Sequence, residues 1–180
     1  MKNSEPVLPL VSVVMATHND EKFISQSVES ILNQTEKKIE LIIINDASTD
    51  KTLDIIKQYA LNDCRIQLFN NVTSLGLTKS LILAINISKG TYIARQDGDD
   101  ISLPSRLEQQ IDFLKKNSSY GLVGTAISKI DIHSKVIDTP VVFKDNALIQ
   151  KKLLLGNVFA HGSIMMRRSL YFESGGYRPF

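Results

Sequence analysis

The first two-thirds of the chain alternates short apolar, β-branched runs with segments of helical periodicity, and this alternation limits the folds available to it. Residues 10–16 and 39–44 are apolar on both faces, as in strands that are buried in a parallel sheet. Between them, Ile24, Val28 and Ile31 follow helical spacing. Further strands are predicted at 65–69 and 91–94. Strands and helices that alternate with short connections predict right-handed βαβ units and a mostly parallel sheet.

Several expectations concern the helices of this first part. Ser48 or Thr49 is expected to cap a helix that carries Leu53. The segment 77–88 is apolar nearly all round, which predicts a buried helix, and Gly90 is expected to end it. A fourth helix, with apolar side chains at helical spacing, is expected soon after Pro104.

The hydrophobic period becomes weaker after about residue 120. Strands are predicted within 121–131, 135–143 and 160–168, with one helix at 146–155. The 180 residues show no internal repeat and no linker, so a single globular domain, residues 1–180, is expected.

Composition and charge exclude some classes of function. A net charge of +2 does not favour nucleic acid as a partner. Cys64 is the single cysteine, which suits a reducing, cytoplasmic location. Pro6 and Pro9 interrupt the apolar N-terminal stretch, which argues against a leader peptide, and no apolar run is long enough to cross a bilayer. Peripheral contact with the inner face of a membrane is left open.

Polar side chains follow three of the predicted strands, at the edge of the sheet where open α/β folds bind ligands. They are Thr17, His18 and Asn19 after the first strand, Asn45 and Asp46 after the second, and Asp97, Asp99 and Asp100 after the fourth. No G-x-G-x-x-G or G-x-x-x-x-G-K-[ST] motif is present, so a dinucleotide cofactor and a P-loop are disfavoured.

The Asp97-Gly98-Asp99 sequence predicts a divalent metal site. Residues two apart at a strand end point to the same side, and the intervening glycine is expected to leave room for a ligand near the backbone. Mg²⁺ and Mn²⁺ prefer oxygen ligands, and Mg²⁺ typically uses one or two carboxylates together with substrate phosphates. The alternative is a solvated acidic turn that caps the next helix.

Two further residues have both a functional and a structural interpretation. Asp46 can accept a hydrogen bond from the N3–H group of uracil or thymine, or it can belong to a turn and helix cap. Lys79 would be costly inside a buried helix unless its ammonium group reaches the edge of the sheet, where it could pair with a phosphate.

Five stretches, taken together, resemble the inverting glycosyltransferases of family 2. They are VSVVMATHND, ELIIINDASTDKT, LGLTKSL, GTYIARQDGDDISLPSRLE and NVFAHGSIMMRRSLYFESGGY, and they span nearly the whole chain. The resemblance implies the GT-A fold, a three-layer α/β/α arrangement similar to the Rossmann fold. It implies transfer of a sugar, with inversion, from a nucleotide-diphospho-sugar to a hydroxyl group.

The resemblance also implies roles for residues that match the motifs of the family. Thr17 and Asn19 match positions that line the nucleotide pocket, Asp46 matches the acid that contacts the base, and Lys79 falls where a helix start flanks the nucleotide. Residues 1–119 would form the half that binds the nucleotide-sugar.

Further matches concern the metal and the acceptor. Asp97 and Asp99 match the motif that binds Mg²⁺ or Mn²⁺ and the donor diphosphate, with Asp99 as the principal metal ligand. His161 lies in the segment near the acceptor, within an incomplete acceptor-side half at residues 120–180. The acceptor would be a saccharide or a lipid-linked saccharide in the synthesis of a surface polysaccharide or lipopolysaccharide.

The catalytic base of the family belongs to an acidic motif that is expected beyond Phe180. Asp100 and Glu173 are the carboxylates that could take its place. Two alternatives stay open, namely a chain that binds the sugar nucleotide without transfer, and a nucleotidyltransferase. Exposure of Phe159, Met165 and Phe172 is expected on the acceptor side and would favour self-association.

Overall fold

The computed structural model describes residues 8–178, which form eight strands and six α-helices. The strands are β1 (Val11–Thr17), β2 (Ile39–Asn45), β3 (Ile66–Asn70), β4 (Tyr92–Arg95), β5 (Leu122–Val123), β6 (Lys129–Ile130), β7 (Val136–Asp138) and β8 (Met165–Arg167). The helices are α1 (Ile24–Leu32), α2 (Thr52–Asn62), α3 (Leu77–Ile87), α4 (Arg106–Lys116), α5 (Asn146–Leu153) and α6 (Arg168–Glu173).

Six of the strands form one sheet in the order β3-β2-β1-β4-β8-β5. β1 to β4 are mutually parallel, whereas β8 pairs antiparallel with both β4 and β5. β6 and β7 form a separate two-stranded hairpin. The predicted mixed α/β fold with a mostly parallel central sheet is therefore confirmed.

Hydrophobic cores lie on both faces of the sheet, because successive strand residues point to opposite sides. Val13 and Met15 of β1 pack with α1, α2 and α4 on one face. Val14 and Ala16 pack with α3 and Tyr171 of α6 on the other. These two cores make the three-layer arrangement, and they explain why β1 and β2 are mostly apolar. Ser12 and Glu40, buried polar side chains within these strands, hydrogen-bond to each other.

The cap of α2 differs from the one predicted. The backbone N–H of Thr52 donates to Oδ1 of Asp50 at 2.9 Å. The hydroxyl of Ser48 instead accepts the backbone N–H of Asn19 at 3.0 Å. The prediction of Ser48 or Thr49 as the cap was wrong, because Lys51 occupies the N-cap position and both Ser48 and Thr49 hydrogen-bond to Asn19 in the loop after β1.

The prediction that α3 is a buried helix holds for one side of it only. Ser80, Leu81, Ala84 and Ile85 are buried, whereas Leu77, Leu83 and Ile87 on the opposite side are exposed. Only one side of this helix faces the sheet, so its remaining apolar side chains contact solvent within the part of the chain described here.

Gly90 does not form the cap of α3, which ends at Ile87 with Ser88 in an extended conformation. A Cβ atom on Gly90 would lie 2.5 Å from the backbone nitrogen of Ser12 and 2.8 Å from the carbonyl carbon of Val11. Glycine is therefore required there by the close approach to β1.

The part after residue 120 differs most from prediction. Within the predicted strands at 121–131 and 135–143, the structure has only the short strands β5, β6 and β7. The predicted helix at 146–155 is present as α5, whereas α6 was not predicted. Met165 is fully buried, because β8 inserts between β4 and β5, so the expected exposure of this residue was wrong. Phe172 is exposed, as expected.

Among the helices of residues 8–178, none combines the length and the apolar character needed to cross a bilayer.

Candidate functional site

The loops that follow β1, β2 and β4 meet at the carboxyl edge of the sheet. Thr17 pairs with Asn45 at the ends of β1 and β2, and the backbone N–H of Asp46 donates to the carbonyl of Thr17 at 2.8 Å. β4 runs parallel on the other side of β1 and leads directly into Asp97. The topology therefore brings the predicted polar groups to one edge.

The loop after β1 is tied firmly to the loop after β2. Asn19 has a positive φ of 58°, and its side-chain oxygen accepts the backbone N–H of Thr49 at 2.8 Å. Nδ1 of His18 lies 2.7 Å from the carbonyl oxygen of Asp46. Asn19 therefore fixes the local backbone as well as lying at the predicted nucleotide pocket.

Asp46 holds the loop that precedes α3. Its Oδ1 accepts hydrogen bonds from the side chain of Asn71 at 2.7 Å and from the backbone of Leu75 at 2.8 Å. Its Oδ2 accepts from the hydroxyl of Ser74 at 2.7 Å and from the backbone of Gly76 at 2.9 Å. The alternative in which Asp46 caps the following helix was wrong, since all four donors belong to residues 71–76.

These hydrogen bonds control the charge of the Asp46 side chain. Burial alone would raise the pKa of this carboxyl group, but the donors at Leu75, Asn71, Ser74 and Gly76 outweigh burial and lower the pKa well below its ordinary value. Asp46 is therefore a fixed anion within a ring of protein donors.

The depressed pKa makes the stabilising contribution of Asp46 depend on pH. Because the folded-state pKa lies below the unfolded value of about 3.9, the contribution is complete above about pH 5 and is lost as the pH falls toward the folded value. We expect the difference in free energy of unfolding between the wild type and Asp46→Asn to shrink from about pH 5 to about pH 2, by at most about 1.4 kcal/mol per pH unit. Urea denaturation of both proteins measures this difference, and a constant difference across the range would contradict the predicted ionisation.

The acidic residues after β4 occupy different environments. Oδ1 of Asp97 pairs with the buried guanidinium of Arg95 at 2.5 Å, and its side chain is 30% exposed. Asp99 is exposed. A Cβ atom on Gly162 would lie 2.6 Å from Oδ2 of Asp97 and still closer to Oδ2 of Asp100. The absence of a side chain at Gly162 thus allows the carboxylates of Asp97 and Asp100 both to approach this glycine.

This proximity changes the acidity of Asp100. Partial burial raises the pKa of Asp100, and the negative charges of Asp97 and Asp99 raise it further. The interpretation of these acids as freely solvated does not fit Asp97, which is anchored to Arg95.

The space beside Gly98 is not open, contrary to the expectation that it admits a ligand. A Cβ atom there would lie 2.5 Å from Oδ2 of Asp20 and 3.0 Å from the hydroxyl of Thr17. Thr17 itself donates to Oδ2 of Asp20 at 2.6 Å. Asp20 was missed in the sequence, although it follows Asn19 in the same polar run.

A divalent cation fits this set of residues only if a ligand completes its coordination. Within residues 8–178, no three His, Cys, Asp or Glu side chains are arranged to hold a metal ion by themselves. The groups available are carboxylates of Asp97, Asp99 and Asp100, all oxygen donors. Mg²⁺ commonly binds through one or two carboxylates with substrate phosphates as further ligands, so the residues are compatible with such an ion.

Two further predicted site residues are Lys79, which precedes the acidic residues 97–100 in the sequence, and His161, which follows them. Lys79 is exposed in the first turn of α3, so the cost expected for a buried ammonium group does not arise. His161 is half-buried, and its Nε2 lies 2.6 Å from the hydroxyl of Tyr177. Burial, followed by the charge of Arg95, lowers the pKa of His161.

A cavity of about 490 Å³ opens beside His161. Its lining is mostly apolar and includes Phe159, Ile164 and Met166. Glu173 is exposed on α6, whereas Asp100 lies against Gly162, the neighbour of His161. Of the two carboxylates considered as the base, Asp100 is therefore the one beside Asp97.

Comparison with known proteins matches this chain to glycosyltransferases. The profile described as Glycosyl transferase family 2 matches residues 12–175. The putative glycosyltransferase EpsE of Bacillus subtilis is 43% identical over 175 residues, which cover 94% of this chain and 60% of that protein. The O-antigen biosynthesis glycosyltransferase WbnJ of Escherichia coli is 34% identical over 173 residues, which cover 95% of this chain and 66% of WbnJ.

Solved structures share the fold at low sequence identity. The mannosyltransferase PcManGT of Pyrobaculum calidifontis, in complex with GDP-Man and Mn²⁺, superposes with a TM-score of 0.71 at 18% identity, covering 96% of this chain and 48% of that one. TarS of S. aureus, in complex with UDP, gives 0.73 at 21% identity, covering 94% of this chain and 50% of that one. The chain thus spans about half the length of these two proteins.

Proposed function

Because the chain belongs to glycosyl transferase family 2, we propose that it binds a nucleotide-diphospho-sugar, with a UDP-sugar as the first candidate. The observation that carries this proposal is that two acidic features lie at the same edge of the sheet. One is the anionic Asp46, and the other is the pair of Asp97 and Asp100 beside Gly162. An edge that combines a hydrogen-bonding loop with carboxylates able to share a cation suits a nucleoside diphosphate.

Relatives of known fold support this class of donor. The neighbouring structures are complexes with GDP-Man, UDP and UDP-GlcNAc. UDP is the first candidate because a carboxylate can accept the N3–H group of uracil; it can also accept the N1–H group of guanine, which makes GDP the comparison ligand. Since Asp46 already accepts four protein hydrogen bonds, it reads the base either by exchanging one of these donors or through the 71–76 loop that it holds.

The other residues of the site take the following proposed roles. Thr17 and Asn19 shape the nucleotide pocket, and exposed Lys79 approaches the phosphates. Asp97 and Asp99 would hold Mg²⁺ or Mn²⁺. Such an ion supplies neutralisation of the diphosphate charge as the nucleotide leaves.

We further propose that the complete protein transfers the sugar, with inversion, to a hydroxyl group of a saccharide or a lipid-linked saccharide. His161 faces this acceptor, beside the apolar cavity. The acceptor hydroxyl loses its proton to a carboxylate base, whose identity stays a prediction. Synthesis of a surface polysaccharide fits relatives that include an O-antigen biosynthesis enzyme and a chondroitin synthase of Escherichia coli. The cytoplasmic location, peripheral membrane contact and self-association stay predictions.

Calorimetric titration tests the donor proposal directly. We expect the chain to bind UDP in the presence of Mn²⁺ and to bind it much more weakly after a chelator removes the ion, because the acidic site otherwise repels the diphosphate. GDP is the comparison ligand, and tighter binding of GDP would replace UDP as the donor nucleotide. Equal binding of UDP with Mn²⁺ and with the chelator would overturn the role of the metal.

The alternative function is binding of the sugar nucleotide without transfer. A chain that binds UDP and shows neither donor hydrolysis nor transfer to an acceptor extract would support it.

A further inference from the structure

Arg95 is a buried charge at the end of β4. Its side chain is 2% exposed, and a charge in such a place is costly unless it is paired. Its Nη1 pairs with Oδ1 of Asp97 at 2.5 Å and donates to the carbonyl of Gln96 at 2.8 Å. Its Nε is buried and has no hydrogen-bond partner within residues 8–178. Asp97 is thus the carboxylate that compensates the charge of Arg95 in the described chain.

The two carboxylate oxygens of Asp97 have different neighbours. Oδ1 is held by Arg95. Oδ2 lies at Gly162, beside Oδ2 of Asp100. Because the buried guanidinium of Arg95 holds Oδ1, the carboxylate of Asp97 cannot rotate freely. Its Oδ2 is therefore kept on the side of Asp100 and Gly162.

Arg106, a second buried guanidinium, has a different set of partners. It donates to the carbonyl of Arg95 at 2.7 Å, to Oε1 of Gln96 at 2.9 Å and to the hydroxyl of Ser102 at 2.9 Å. Arg106 therefore supports the path of the backbone under the acidic loop. Arg95 instead contacts the side chain of an acid that belongs to the site.

We propose that Arg95 is a positioning residue for the donor site, acting through Asp97, whose orientation its buried guanidinium fixes. This inference rests on the proposed binding of a nucleoside diphosphate with a divalent cation. Arg95 cannot touch that ligand itself, because its side chain lies inside the protein. Its effect on binding must therefore pass through Asp97.

Arg95→Met separates this role from a purely structural one. Groups that orient a metal-binding side chain typically change metal affinity by about 10- to 100-fold when they are replaced, so we expect the Kd for UDP with Mn²⁺ to rise by about that factor. The midpoint of urea unfolding should not fall correspondingly, since methionine leaves no unpaired charge inside the protein and Asp97 can be hydrated at its exposed side.

The test compares the wild type, Arg95→Met, Asp97→Asn and the double variant by calorimetry with UDP and Mn²⁺. If Arg95 acts through Asp97, Arg95→Met has no further effect in the Asp97→Asn background. Fold-changes that multiply in the double variant would overturn the inference. Arg65→Met is the matched control, because Arg65 pairs with an acid two residues away, Asp63, at 2.7 Å but lies before β3, at the other end of the strands. It should leave binding unchanged.

A conservative variant completes the test. Arg95→Lys keeps the charge and loses the planar fork, so its Kd should fall between those of the wild type and Arg95→Met. It also serves as the test variant if Arg95→Met does not fold, with the same cycle against Asp97→Asn. Arg95 variants that bind as the wild type does would overturn this inference alone. A wild-type chain that binds no UDP at all would overturn the proposed function and this inference together.

Discussion

Asp99→Asn is expected to weaken the binding of UDP in the presence of Mn²⁺ by at least about 100-fold. Groups that merely orient a ligand of the metal already change affinity by about 10- to 100-fold, and Asp99 is proposed to bind the ion directly. Asparagine keeps the size of the side chain and removes its negative charge. Calorimetry with UDP measures the loss, once with Mn²⁺ and once with chelator.

The fold should survive this substitution, because Asp99 is exposed in the loop after β4 and contributes to neither hydrophobic core. Urea unfolding should be within about 0.5 kcal/mol of the wild type. Asp112→Asn, at an exposed position of α4, is the matched control for the loss of one surface charge. An Asp99→Asn chain that binds UDP with Mn²⁺ as tightly as the control would remove Asp99 from the site.

Asp46→Ala is expected to reduce the affinity for UDP by about 10- to 100-fold more than the affinity for pyrophosphate with Mn²⁺. The charged carboxylate organises the 71–76 loop through four hydrogen bonds, and hydrogen bonds to charged groups contribute about 1.5–3 kcal/mol each. Pyrophosphate carries no base, so its binding depends on the acidic side of the site. Parallel titrations with the two ligands measure the difference.

Asp54→Ala, at an exposed position in the first turn of α2, provides the control. It should change neither affinity. An equal loss for UDP and pyrophosphate in Asp46→Ala would assign Asp46 a structural role alone, and the assignment of the base pocket would then move to other residues.

The fold was predictable where a strand is buried on both faces. β1 and β2 are mostly apolar on both faces, and such segments have few alternatives to the centre of a parallel sheet. Prediction held for only one side of α3, because its apolar composition is the same whether one side or both sides are covered. The strand β8 was predicted within 160–168, but its place between β4 and β5 was not, because it depends on antiparallel pairing with β4, about seventy positions away along the chain.

The candidate site divides in the same way. The location of Asp46, Asp97 and Asp99 at one edge of the sheet could be predicted from the sequence, because each follows a buried strand and parallel strands present their carboxyl ends at the same edge. The hydrogen-bond and packing partners of these residues could not be predicted. The donors to Asp46 come from residues 71–76, and the glycine that allows Asp97 and Asp100 to approach is Gly162.

The sequence by itself therefore determined the order of the strands and helices up to about residue 120, and the edge of the sheet that carries the acidic groups, since both depend on local hydrophobic period and on strand direction. Tertiary structure alone decided which charges are paired. Arg95 follows an apolar run and could equally have ended in solvent, but pairing of β4 with β1 and β8 buries it. Once it is buried, the cost of an uncompensated charge favours the contact with Asp97.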